Sequence, residues 1–235
     1  MSTELPEGGT VVDDGSDFVR KWRGAWPEWA IAEAFVPAAE RTIAPWWQAL
    51  QFELMESAWG GADARPGEAK LGWWTEELVG WGQGRRRHPL GAALSRRQAP
   101  WSDLARALPA LVASRSMPGS PAAAWEQVEA PASAAAGVEA SLLGTRADAR
   151  TVAACWLHAR LARHPGGAVP SALKDGEPAA SWRRELLAQW PSHGGLATTR
   201  RLESALARAR LSGGDAARPR SPVVTLWTCW RAARD

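Results

Sequence analysis

Leu71, Trp74, Leu78 and Trp81 recur at steps of three, four and three residues, which places them on one face of an α-helix. The same period, near 3.6 residues, runs through most of the chain. It is legible over 102–115, 121–144, 148–163, 179–190 and 196–212, and each segment is cut from the next by Pro- and Gly-bearing joints such as MPGSP, HPGGAVP and WPSHGG. No alternation of period two persists, and no fixed internal repeat appears. These patterns predict an all-α chain of about nine or ten helices.

The remaining segments fit that reading. FVRKWRGAWPEWAIAEAFV reads as a first helix, capped by Ser16 or Asp17 and kinked or split at Pro27. A second helix follows Pro37, striped by Ile43, Trp47, Leu50 and Leu54 and ended by Gly60-Gly61; Pro66 sits in the first turn of the third. LGAAL opens a short helix, and PVVTLWTCWRAAR reads as the last one. Residues 1–15, acidic and Gly-rich, read as a flexible tail ahead of a single domain over 16–235.

Composition narrows the function classes. Three of the 28 basic residues are lysines, a usage that points to a GC-rich, bacterial genome, and a net charge of +3 demands neither nucleic acid nor an anionic membrane as partner. Two cysteines make no disulfide framework or Cys-rich zinc site. No secretory signal or transmembrane run is present, so the chain reads as cytoplasmic, with peripheral membrane contact left open.

Sixteen Trp against three Phe and no Tyr make indole the dominant aromatic. Trp46-Trp47 and Trp73-Trp74 are adjacent pairs on successive helices. One member of each fits the core and the other a groove rim, or the pairs wall an aromatic cavity for an apolar or cationic ligand; core packing carries the greater weight. Trp74, on the stripe with Leu71, Leu78 and Trp81, is the inward member and Trp73 the rim one.

Familiar local signatures of chemistry are missing: no G-x-G-x-x-G after a strand, no Walker A loop, no H-E-x-x-H. Four scattered histidines read as surface or capping residues, with His158 and His164 on different helix faces. Two acidic pairs remain. Glu53 and Glu56, one turn apart, are candidates to hold Mg²⁺ against a diphosphate, with Glu76-Glu77 on the next helix; the alternative is a solvated helix face. Arg85-Arg86-Arg87-His88 reads as a solvated turn or a phosphate-receiving one.

The stretch EAKLGWWTEELVGWGQGRRRHPLGAAL, residues 68–94, resembles the squalene/phytoene synthase family, in which "(R/K)L-x-WW-R-x-x-L" leads through a loop to "HP-(V/L)-x-x-AL". Lys70, Leu71, Trp73, Trp74, Leu78, His88, Pro89, Leu90, Ala93 and Leu94 stand at matching positions. FVPAAERTIAPWWQALQFELMESAW and EAPASAAAGVEASLLG are similar to the family's flanking helices, so that the likeness spans most of 18–170. It implies an isoprenoid-synthase-type bundle with a central cavity lined by segments 42–58, 66–82 and 148–163.

Active members carry two Asp-rich motifs that chelate Mg²⁺ and the diphosphates of two prenyl substrates. At the first, this chain reads ELMESAW, leaving Glu53 and Glu56. At the second, no Asp or Glu occurs between Asp148 and Asp175, and Arg150, Arg160, Arg163 and His164 occupy the region. Diphosphate departure leaves an allylic cation and requires metal held from both sides. The resemblance therefore implies a divergent member that binds an isoprenoid or other apolar ligand, or a partner protein, without prenyl transfer, in the manner of the family's non-enzymatic assembly factors for respiratory complex I. Its ligand residues would be Glu53, Glu56, Lys70, Trp73, Glu77, Arg150 and Arg160, and Mg²⁺ would enter only if the chain is an active head-to-head prenyltransferase of squalene, hopanoid or carotenoid synthesis. A helical interaction module without a ligand is the third alternative.

Overall fold

The periodic segments are helical throughout the computed structural model, which describes residues 15–173, 176–192 and 194–234. In chain order they are α1 (Ser16–Ala25), α2 (Trp29–Ala32), a 3-10 turn (Glu33–Phe35), α3 (Ala38–Arg41), α4 (Ala44–Trp59), α5 (Arg65–Gly82), α6 (Gly91–Leu94), α7 (Trp101–Ala113), α8 (Pro121–Leu143), α9 (Ala149–Arg163), α10 (Pro165–Ala168), α11 (Pro178–Ala188), α12 (Thr198–Ser212) and α13 (Pro222–Arg234). Nine have ten or more residues, the rest are single turns, and no strand occurs among the described residues. Most of the predicted tail, residues 1–14, lies outside the described residues.

Breakers and caps set the boundaries. Pro27 splits the first periodic run, with α1 ending at Ala25 and the chain turning again at Trp29. The cap of α1 differs from expectation. Gly15 holds that position at φ 80, while Ser16 and Asp17 lie inside the first turn. A Cβ at Gly15 would also come within 3.1 Å of the Trp46 ring, so both backbone angle and space select glycine there. The segment after Pro37 is two helices rather than one, because Pro45 in the first turn of α4 lacks the N–H that would continue α3. Ser120 and Asp148 cap α8 and α9 by accepting from the amides of Ala123 (3.1 Å) and Thr151 (2.9 Å). The cap of α12 comes from a distant helix instead: Glu40 of α3 accepts from the Thr198 and Thr199 amides (3.0 and 2.8 Å) and the Thr199 hydroxyl.

Neighbouring helices form a cycle, α4–α5–α7–α8–α9 and back to α4, with α1 laid on α4, α12 on α9, and α13 on α12 and α2. Indoles fill its interior. Trp47, Trp74, Trp81 and Trp101 are all at most 2% exposed. Their rings meet edge to face in series, Trp47 to Trp101 (6.5 Å), Trp101 to Trp81 (5.1 Å) and Trp81 to Trp74 (6.2 Å). A pair of buried ions closes the other side: Arg210 of α12 donates to Glu28 through Nε (2.8 Å) and Nη2 (2.6 Å) while its guanidinium lies 3.8 Å over Trp26.

The phase of α5 is as the stripe predicts. Leu71, Trp74, Leu78 and Trp81 are buried and Trp73 is half-buried. Replacing Trp74 by Ala is expected to lower stability by about 3–5 kcal/mol and Trp73→Ala by about 1 kcal/mol, the difference between a sealed core aromatic and a rim one. Denaturant unfolding of the two variants checks the order; equal losses would mean that α5 is rotated from this position.

Candidate functional site

Thirteen of the sixteen residues of α4 are buried, so its polar side chains must find partners inside the fold. Glu53 finds two. Lys21 of α1 donates to Oε1 (2.7 Å) and Lys70 of α5 to Oε2 (2.5 Å). Burial alone would push its carboxyl up, but the two lysines hold it below the usual carboxylate range. One turn on, Glu56 accepts from Arg163 Nε of α9 at 3.2 Å. Phe52 lies between the cations, 5.6 Å from Lys21 Nζ and 4.8 Å from Arg163.

This cluster joins α1, α4, α5 and α9, bringing three cations to two carboxylates. Both Glu53 oxygens are engaged by ammonium groups, and the facing helix offers Glu56 a guanidinium. Such a set does not suit Mg²⁺, which needs carboxylate oxygens free to coordinate in octahedral geometry. Among the described residues, no three His, Cys, Asp or Glu side chains converge as metal ligands. The exposed sides of Lys21 and Lys70 leave their ammonium groups able to meet an anion from solvent.

The other sequence candidates stand elsewhere. Glu77 is 2% exposed and folds the loop after α5, accepting from the amides of Arg87 (2.7 Å) and His88 (2.8 Å) and from Trp81 Nε1 (2.8 Å). Those donors offset its burial and hold its carboxyl low, which makes it a loop anchor rather than a ligand. Trp73 of α5 packs on the same loop, with Arg87 5.4 Å over its ring and His88 at 5.7 Å. Arg150 lies flat on Trp125 at 3.3 Å in a surface cleft that also holds Glu126, Glu129 and Asp148, so an anion there would meet three carboxylates.

Arg160 is fully buried and donates to Gln127 Oε1 (2.8 Å) and to the carbonyls of Ser116 (2.7 Å) and Gly167 (2.9 Å). Its charge has no carboxylate partner among the described residues, and desolvation pushes its pKa down to about 10. Arg150 and Arg160 are thus structural where the resemblance made them diphosphate ligands; of the α9 arginines only Arg163 reaches the α4 acids.

Periodicity gave no sign of a second buried cluster. Arg200 of α12 pairs with Glu139 of α8 through Nε (2.9 Å) and Nη2, and with Glu203 through Nη1 (2.8 Å); Nη2 also donates to Gln51 Oε1 (2.9 Å). Trp47 Nε1 donates to Glu139 and Gln48 Nε2 to Glu203, both at 2.8 Å. Burial raises the Glu203 carboxyl despite Arg200, and the two carboxylates raise Arg200 well above its ordinary value against its desolvation. Gln48 also reaches a surface cleft of about 380 Å³ lined by Trp22, Trp29, Val36 and Pro45 and by the charged Arg23, Glu33 and Arg41, in the range of small-ligand sites. A run of Trp spacing in α1 and α2 is the one sequence signal that could have marked it.

His158 corrects the surface reading of the histidines. It is 1% exposed on α9, its Nε2–H donates to the Ala216 carbonyl (2.9 Å), and Nδ1 has no partner. His193 lies outside the described residues. None of the known family models, curated proteins or solved structures matches the chain.

Desolvation, with the nearby Arg210 charge, pushes His158 from 6.5 down to about 3. The unfolded chain therefore binds one more proton than the folded one between those values, and stability falls as pH drops through that window. The loss from this residue is expected to reach ~2–4 kcal/mol by its lower end. Urea unfolding of the wild type and His158→Gln across that range checks it: the variant should show the shallower slope, and equal slopes would remove His158 as the cause.

Proposed function

We propose that this chain is a divergent squalene/phytoene-synthase-like protein that binds an isoprenoid or comparable apolar ligand with an anionic end and does not transfer prenyl groups. The observation that carries this reading is the state of the α4 acids. Glu53 and Glu56, at the place of the first Asp-rich motif in the resemblance, are neutralised by Lys21, Lys70 and Arg163. Ionising an allylic diphosphate needs divalent metal held from opposed carboxylates, and here the opposing helix brings arginine. Cations that already neutralise carboxylates can still share a phosphate oxygen, so binding is retained where turnover is lost. A separate cleft of about 380 Å³ beside Trp22 and Trp29, lined also by Arg23, Glu33, Arg41 and Gln48, is of a size for a small ligand or a partner's side chain.

The test uses purified protein with farnesyl or geranylgeranyl diphosphate, with and without Mg²⁺. No squalene, phytoene or cyclopropyl intermediate is expected in either condition. Indole fluorescence should shift on adding the diphosphate, and about tenfold less tightly when Lys21 and Lys70 are both replaced by Gln. Mg²⁺-dependent turnover abolished in Glu56→Gln would overturn the reading in favour of an active prenyltransferase. Absence of both turnover and fluorescence change would overturn it in favour of an interaction module.

A further inference from the structure

The solvent side of α13 is apolar. Thr225, Cys229 and Ala232 point inward and are buried, while the opposite stripe, Val223, Trp227 and Trp230, with Leu226 beside it, is 79%, 59%, 39% and 53% exposed respectively. On an ordinary surface helix that stripe is polar. The two indoles stack at 5.0 Å and 24°, and Arg234 lies 4.6 Å over Trp230 at the end of the ridge. A ridge this large and continuous on otherwise polar surface marks an interaction site.

The charge along it is mainly basic. From Ala216 to Arg234 the sequence carries Arg218, Arg220, Arg231 and Arg234 and no acid, with Asp215 and Asp235 at the two ends of that run. Between α12 and α13 runs an open groove of about 340 Å³ walled by Arg208, Ser212, Arg220, Trp227 and Arg231. None of these three arginines has a carboxylate within ion-pair distance among the described residues, although eight other arginines of the chain do. Arg220 Nε is buried without a hydrogen-bond partner beside the groove.

We propose that this face docks on an anionic lipid bilayer, with Trp227, Trp230, Leu226 and Val223 at the headgroup–acyl boundary and a lipid phosphate in the Arg208–Arg220–Arg231 groove. Indoles beside guanidinium groups suit that interface, where an apolar ridge enters the acyl edge and flanking cations meet phosphates. No helix of the described residues is long and apolar enough to cross a membrane, so the attachment lies along the surface. A second copy of the chain fits less well. Two-fold pairing of this face would bring its arginines toward their own symmetry mates with no acid between them.

Co-sedimentation with vesicles of phosphatidylcholine, alone or containing phosphatidylglycerol, tests the proposal on the full chain. Binding is expected to the anionic vesicles and to weaken with salt. Trp227→Ser with Trp230→Ser should reduce partitioning by about tenfold or more. Arg208→Gln with Arg231→Gln should cost about tenfold on anionic vesicles alone. All four side chains are exposed, so thermal unfolding should match the wild type and show that each variant is folded. Wild-type protein left in the supernatant with anionic vesicles, or variants that partition as it does, would overturn the proposal. Self-association abolished by the Trp double variant, without vesicle binding, would assign the face to a second copy instead.

Discussion

A guanidinium with no access to water must have its donors met inside the fold, and Arg200 meets this demand with two carboxylates. Its ion pairs to Glu139 and Glu203 and its hydrogen bond to Gln51 draw α4, α8 and α12 to one point. A buried pair of this kind adds little net stability against a well-packed apolar replacement, but separating its members costs about 3–5 kcal/mol. Its effect is selective: any packing that slides α8 along α12 strands a charge. Trp47, whose Nε1 serves Glu139 and whose ring meets Trp101, links this polar centre to the indole series that fills the rest of the bundle.

The same rule of internal pairing governs the α4 acids. Glu53 is buried on α4, so it is stable as an anion only where cations come to it, and Lys21 and Lys70 do, while the half-exposed Glu56 meets Arg163 one turn on. Metal chemistry and self-neutralisation compete for the same oxygens. In this chain the second has them, and the ammonium groups of Lys21 and Lys70 remain toward solvent beside the half-exposed Glu56. Glu77, Arg150 and Arg160 show how a charged residue in a suggestive place is spent on holding a loop, stacking on an indole or pinning carbonyls.

Helix existence and phase were legible because they are written in local spacing. The α5 stripe separates Trp74 from Trp73, and Pro27 marks a real break. Of the single-turn helices, α6 was read from LGAAL, but α3 and α10 were not, since four residues cannot display a period. Partners were least legible of all. Lys21 lies 32 residues from Glu53 and Arg163 lies 107 from Glu56, and no spacing rule connects such positions. His158 illustrates the same limit: its helix face was readable, but its burial depends on a chain turn at Ala216 that periodicity does not announce.

The long-range anchors also impose an order of events on the nascent chain. Glu28 waits for Arg210, 182 residues later; Glu40 waits for the α12 amides, and Gln48 for Glu203. Helices α5 to α9 meet their main neighbours early and can assemble as they leave the ribosome. The first helices cannot complete their packing until α12 has been synthesised, so Glu28, Glu40 and the Trp26 ring spend most of translation without their partners. The amino-terminal segment is therefore the stretch most in need of chaperone cover, although its sequence is as strongly helical as the rest.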